Sequence, residues 1–243
     1  MRSIFLKEIN IFFSSLIGYI VIGGFLVICG LLLFVFPDTS LLEYPYASLS
    51  GFFELAPGIF LFLIPAITMR SFSDEWQSGT IELLATKPLS ELDIILGKFF
   101  AAVFLVSFSL VPTLLYVYTL YDLGSPKGNL DLGAIWGSYL GLLMLGAAFV
   151  SIGLFASALT HNQIVAFILG TFLCFMIQWG FFYFSKLPLF EGTWDDFVQK
   201  SGIDYHYRSI SRGLVDSRDV LYFLSLITFF LALTLTIQGR RKW

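Results

Sequence analysis

Charge is what this sequence has least of. Only 13% of its 243 residues are Asp, Glu, Lys or Arg, and they balance to a net −3. No basic stripe is available to neutralise a nucleic-acid backbone. Histidine and cysteine are scarcer still. His161 and His206 stand alone, with no Cys or carboxylate arrangement around them that would make a metal site, so a surface or capping role is expected of each. Cys29 and Cys174 both fall inside apolar runs, where a thiol packs as a small hydrophobe, and nothing suggests a disulfide framework. The phosphate-cradling Gly-x-x-x-x-Gly-Lys-Ser/Thr loop does not occur. Gly97-Lys98 is followed by Phe99 and lacks the earlier glycine, so any ATP chemistry must lie on another chain. His-Glu-x-x-His is also missing and the serines have no paired base, which leaves an intramembrane hydrolase without support.

What fills the chain is apolar. It is 57% hydrophobic and 18% aromatic, and its mean hydropathy of +0.84 exceeds what a water-soluble domain carries. A helix rises about 1.5 Å per residue, so roughly 20 apolar residues cross a hydrocarbon core about 30 Å thick. The pattern predicts an all-α polytopic membrane protein, one domain over 1–243, with spans near 17–36, 49–69, 94–121, 135–159, 163–184 and 220–238.

Local signals refine this outline. Ile4, Phe5, Ile9, Phe12 and Phe13 share a helical face away from Arg2, Lys7 and Glu8, which predicts an N-terminal amphipathic helix at the membrane interface, followed by a retained first span. Glu54, Pro57 and Pro65 interrupt the second span, and Glu54, near its outer end, is expected to snorkel into the headgroups. Ser90 and Asp93 have capping-box spacing at the start of the third span, and Pro112 should kink it. Gly137, Gly141, Gly146 and Ser151 mark the fourth span as an interior or subunit-interface helix. Ile203, Tyr207, Ile210 and Leu214 recur at helical spacing before the sixth span, predicting an amphipathic or re-entrant outer helix.

An even number of spans puts both termini on one side. Arg2, Lys7, Arg70, Lys87, Lys98 and Arg240 to Lys242 would share that side, which points to the cytoplasm, although the last outer loop carries Lys and Arg as well. The segment SDEWQSGTIELLATKP, from Ser73 to Pro88, then becomes a cytoplasmic bridge between spans two and three. On a helical projection Phe72, Trp76, Gly79 and Leu83 cluster on one side, with Asp74, Glu75, Ser78 and Glu82 across much of the other.

The longer run SFSDEWQSGTIELLATKPLSELDIILGKF, together with ASALTHNQIVAF from Ala156 and SRGLVDSRDV from Ser211, resembles the ABC-2 type transporter permeases over nearly the whole chain. More narrowly it resembles the gliding-motility-associated ABC transporter permease subunit of Bacteroidota. The resemblance implies a bacterial inner-membrane, multi-pass permease with both termini cytoplasmic and no catalytic, cofactor or metal site of its own. ATP and Mg would be used by a partner ATP-binding subunit. A second permease-type membrane subunit is expected beside membrane lipid, a hetero-oligomer being favoured and a homodimer left open. Carried over by position, the resemblance implies that Phe72, Asp74, Glu75, Trp76, Gly79, Glu82 and Leu83 form or support the contact with the ATPase. An anchoring or assembly component of a gliding or secretion apparatus is the alternative.

Overall fold

The computed structural model describes residues 1–37, 40–41, 48–79, 90–187, 195–213 and 215–240, Arg240 by its backbone alone. Among them six helices are long and apolar enough to cross a membrane. The helices are α1 (Arg2–Ser14), α2 (Leu16–Phe34), α3 (Ser50–Thr68), α4 (Arg70–Gln77), α5 (Glu91–Leu110), α6 (Leu114–Leu123), α7 (Leu132–Leu159), α8 (Gln163–Phe175), α9 (Phe181–Ser185), α10 (Asp195–Lys200), α11 (Ile203–Ile210) and α12 (Ser217–Arg240). Helices α5 and α6 make one span, and so do α8 and α9 with the π-turn Met176–Gly180 between them.

Boundaries follow local chemistry. The Ser90 hydroxyl accepts from the N–H of Asp93 at 3.1 Å and donates to the Asp93 carboxylate at 2.6 Å, so α5 starts where the capping box predicts. Asp93 answers the Ser90 side chain here, whereas the usual box would have it reach the backbone N–H. Pro112 lies in a 3₁₀ turn, Val111–Thr113, that divides the third span. Asn162 caps α8 by accepting from Ile164 and Val165.

Helix α7 is the centre of the bundle. Leu142, Leu145, Ala148, Phe149, Val150, Ile152 and Leu154 are fully buried along it, whereas α2, α8 and α12 leave large apolar side chains such as Ile20, Phe172 and Leu224 on the outside. Inside a bilayer that arrangement is expected, because lipid and not water meets the outer face.

The termini share one end. The N-terminal amine lies 3.8 Å from Asp93 at the start of α5, and Gly239 near the end of α12 sits against Glu91. The opposite end is fastened by α11, whose Tyr207 hydroxyl donates to the Phe53 carbonyl at 2.6 Å and whose following turn accepts from Ser138 at the Ser211 carbonyl, 2.8 Å. Ile203, Tyr207 and Ile210 are buried, as their spacing predicts; Leu214 lies outside the described residues.

Candidate functional site

Helix α4 continues from α3 beyond Met69 and is embraced by four other helices at the end that carries the termini. Its first turn is held by Ser157 of α7, whose hydroxyl accepts from the N–H groups of Phe72 and Ser73 at 3.0 and 3.1 Å and donates to the Met69 carbonyl at 2.9 Å. Gln163, at the start of α8, bridges two charges of α4. Its Oε1 accepts from Arg70 Nε at 3.2 Å and its Nε2 donates to Asp74 Oδ1 at 2.8 Å. Trp76 is half-buried and meets the exposed His161 ring in a T-shaped contact, 5.6 Å between centroids.

The remaining side is electrostatic. Lys98 of α5 is 2% exposed. Its ammonium donates to the Ser71 carbonyl at 2.6 Å and to Glu8 of α1 at 2.8 Å, and it pairs with Glu75 at 2.9 Å. Lys7 of α1 reaches the same Glu75 oxygen at 2.8 Å. Two cations and two carboxylates thus form a neutral quartet that joins α1, α4 and α5. Burial alone would lower the Lys7 pKa, but the hydrogen bond to Glu75 and the charges of Glu75 and Glu8 outweigh it and hold the ammonium above the usual lysine value. Glu75 Oε2 is buried without a hydrogen-bond partner among the described residues.

Gly97 explains how α1 comes so close. A Cβ there would stand 3.0 Å from the Ile4 Cβ and 3.2 Å from the Met1 carbonyl, so a larger residue would force α1 away from α5 by a few tenths of an ångström or more. At the far end of α4, Gly79 has φ +68, with nothing near enough to crowd a side chain. The left-handed conformation, and not space, calls for glycine at this helix end.

Residues 47–240 match the family described as ABC-2 family transporter protein. The chain belongs to the ABC-2 transporter family. It is the permease, not the ATPase subunit, of an ABC transporter, it crosses the membrane several times, and membership implies partnership with an ABC ATPase subunit. Comparison with curated proteins returns no match.

In this ABC-2 permease the expected segment residues separate. Phe72 is buried, Trp76 half-buried, and Asp74 and Gly79 are exposed; Glu82 and Leu83 lie outside the described residues. Glu75 departs from the projected acidic face, being 7% exposed. Three residues after Phe72 it lies only about 60° around the helix from it, on the buried side, and a buried carboxylate persists because Lys98 and Lys7 neutralise it. Lys98, Glu8, Ser157 and Gln163 were not singled out by sequence reasoning. The Gly97-Lys98 pair and the stretch from Ala156 to Phe167 were visible signals, but neither names its partner.

The four small residues of α7 are placed inside the chain. A Cβ on Gly137 would meet Gly213 at 2.8 Å, on Gly141 Ile210 at 3.2 Å, and on Gly146 Val106 at 2.9 Å. Ser151 is fully buried and donates to the Ala148 carbonyl. Intramolecular packing on α5, α11 and the turn after α11 therefore uses the surfaces that the sequence also offered to a second subunit.

Proposed function

We propose that α4 and the residues that follow it, through Leu83, form the segment through which the partner ATPase drives this permease, so that ATP hydrolysis is coupled to export. One observation carries the reading: α4 is bonded at once to α1, α5, α7 and α8. A push on its exposed side, where Asp74, Gln77 and Ser78 lie, would be transmitted to all four as a unit, because the quartet and the Ser157 contacts resist separation. The half-buried Trp76 provides an apolar anchor at the margin of that surface and the carboxylate of Asp74 a charged one, a combination suited to a protein groove.

The finer assignments rest on the sequence resemblance. They are an inner-membrane location with both termini cytoplasmic, a second permease-type subunit in a hetero-oligomer, and a role in gliding motility. Lys7 and Arg70 lie at the end that carries the termini, in keeping with the cytoplasmic assignment.

The test is recovery of the ATPase subunit. Trp76→Asp should reduce its co-purification with the permease from native membranes by about tenfold, the scale of one lost interface anchor. Undiminished recovery would return α4 to a structural role. Identification of the co-purifying membrane subunits in the same preparation checks the hetero-oligomer and the gliding assignment.

A further inference from the structure

At the end of the bundle away from the termini, the described residues surround a cavity of about 940 Å³. Its walls come from the start of α3, the start of α7, the π-turn of the fifth span, α11 and the turn after it. Phe53 and Trp179 give it apolar surface, yet charged side chains open onto it as well. Some of these are already used. Asp204 accepts from Arg208 at 2.8 Å, and Asp131 caps α7 by accepting from the Ala134 N–H at 3.0 Å. Glu54 and Arg212 both line the cavity, and neither forms an ion pair among the described residues, with each other included. Glu54, expected to reach toward the headgroups, is exposed at this end and lines the cavity.

Gln178 points to a ligand independently. It lines the cavity and is 1% exposed. Its Nε2 donates to Asp204 Oδ1 at a long 3.4 Å, and its Oε1 is buried with no hydrogen-bond partner among the described residues. Exchanging the two ends of the amide does not cure this, since the oxygen would then face a carboxylate and the NH₂ group would be left unpaired. The residue belongs to the π-turn Met176–Gly180. Such turns give up regular helical bonding and recur at functional sites.

We propose that this cavity binds a zwitterionic phosphoethanolamine headgroup, with the ammonium held by Glu54 and the Gln178 amide oxygen and the phosphate held by Arg212. An ammonium offers three N–H donors on one compact charge, enough for a carboxylate and an amide oxygen together, while a guanidinium matches phosphate oxygens in pairs. A zwitterion answers both unpaired charges without adding net charge to the site. The cavity lies toward the span ends away from the termini, and its apolar wall suits the glycerol and first methylenes of a lipid. Asp204 is already engaged by Arg208 at 2.8 Å, which leaves Glu54 as the principal carboxylate for the ammonium. The site is remote from α4, so its failure and that of the coupling assignment are separately observable.

The purified complex, reconstituted in nanodiscs of equal phosphatidylethanolamine and phosphatidylglycerol and examined by native mass spectrometry, should retain the former with about tenfold preference. Glu54→Gln and Gln178→Leu should each remove most of that preference, and Arg212→Ala should weaken retention of phosphatidylethanolamine. Glu54 and Arg212 are exposed, so their variants should fold whatever Gln178→Leu does. Displacement by soluble glycerophosphoethanolamine would support recognition of the head alone, and displacement only by the intact lipid would support recognition that includes the chains. Equal retention of the two lipids, or a preference unchanged in both Glu54→Gln and Arg212→Ala, would overturn the proposal.

Discussion

Lys98 is surrounded by Glu8, Glu75 and the Ser71 carbonyl with almost no access to solvent. Removing such an ion strands its partners, at a cost of about 3–5 kcal/mol. Lys98→Met should therefore lower the thermal midpoint of the purified permease by much more than removal of the Lys7 ammonium in Lys7→Met, because the Lys7 side chain is 42% exposed and its charge screened. Equal shifts in a thermal melt would show that the quartet is not the fastening inferred here. Asp204 gives a pH test. Its carboxyl pKa is raised in the fold, so the native state holds that proton more tightly than the unfolded chain does. Its contribution favours folding at low pH and is lost as pH rises from roughly 4 through the raised value. Asp204→Asn should flatten that part of the profile of melting temperature against pH. His206 shows how far one residue can exceed its expectation. It is 13% exposed, places Nδ1 2.7 Å from Asp219 and Nε2 2.9 Å from the Lys200 carbonyl, and stacks on Tyr222. The ring thereby ties α10, α11 and α12 together through contacts at both nitrogens.

At the scale of elements, α4 and α7 separate what periodicity reveals from what it hides. The amphipathic character of the segment around Trp76 was legible, but the projection placed Glu75 with the exposed acids because acids are ordinarily outside. Its true face depended on Lys98 and Lys7, which hydropathy does not connect to it. In α7 the small residues announced close helix contact without saying with which helix. The structure gives Gly141 to Ile210 and Tyr207 of the same chain. Gly141→Leu should consequently destabilise the folded subunit by about 1–3 kcal/mol through overpacking. Its oligomeric state in size-exclusion chromatography should stay unchanged; dissociation of the assembly with an unaltered melting temperature would return the stripe to a subunit interface.

For the whole molecule, the central question is which end faces the ATPase. Ser78 is exposed beside α4, at the end that carries the termini. Ser78→Cys should react with an impermeant thiol reagent in inverted vesicles and resist it in intact cells, and the opposite result would invert the proposed orientation. The sequence by itself determined the six spans, the break at Pro112, the cap at Ser90 and the apolar face of α11, because hydropathy, ring sterics and capping act between residues close along the chain. Only the tertiary structure decided which cation neutralises Glu75, which helix fills the glycine notches of α7, and that Glu54 and Arg212 share a cavity. Those outcomes join residues as far apart as Glu8 and Lys98, 90 positions along the chain. A period of 3.6 residues tells a side chain which way to face, and the fold alone decides what it meets there.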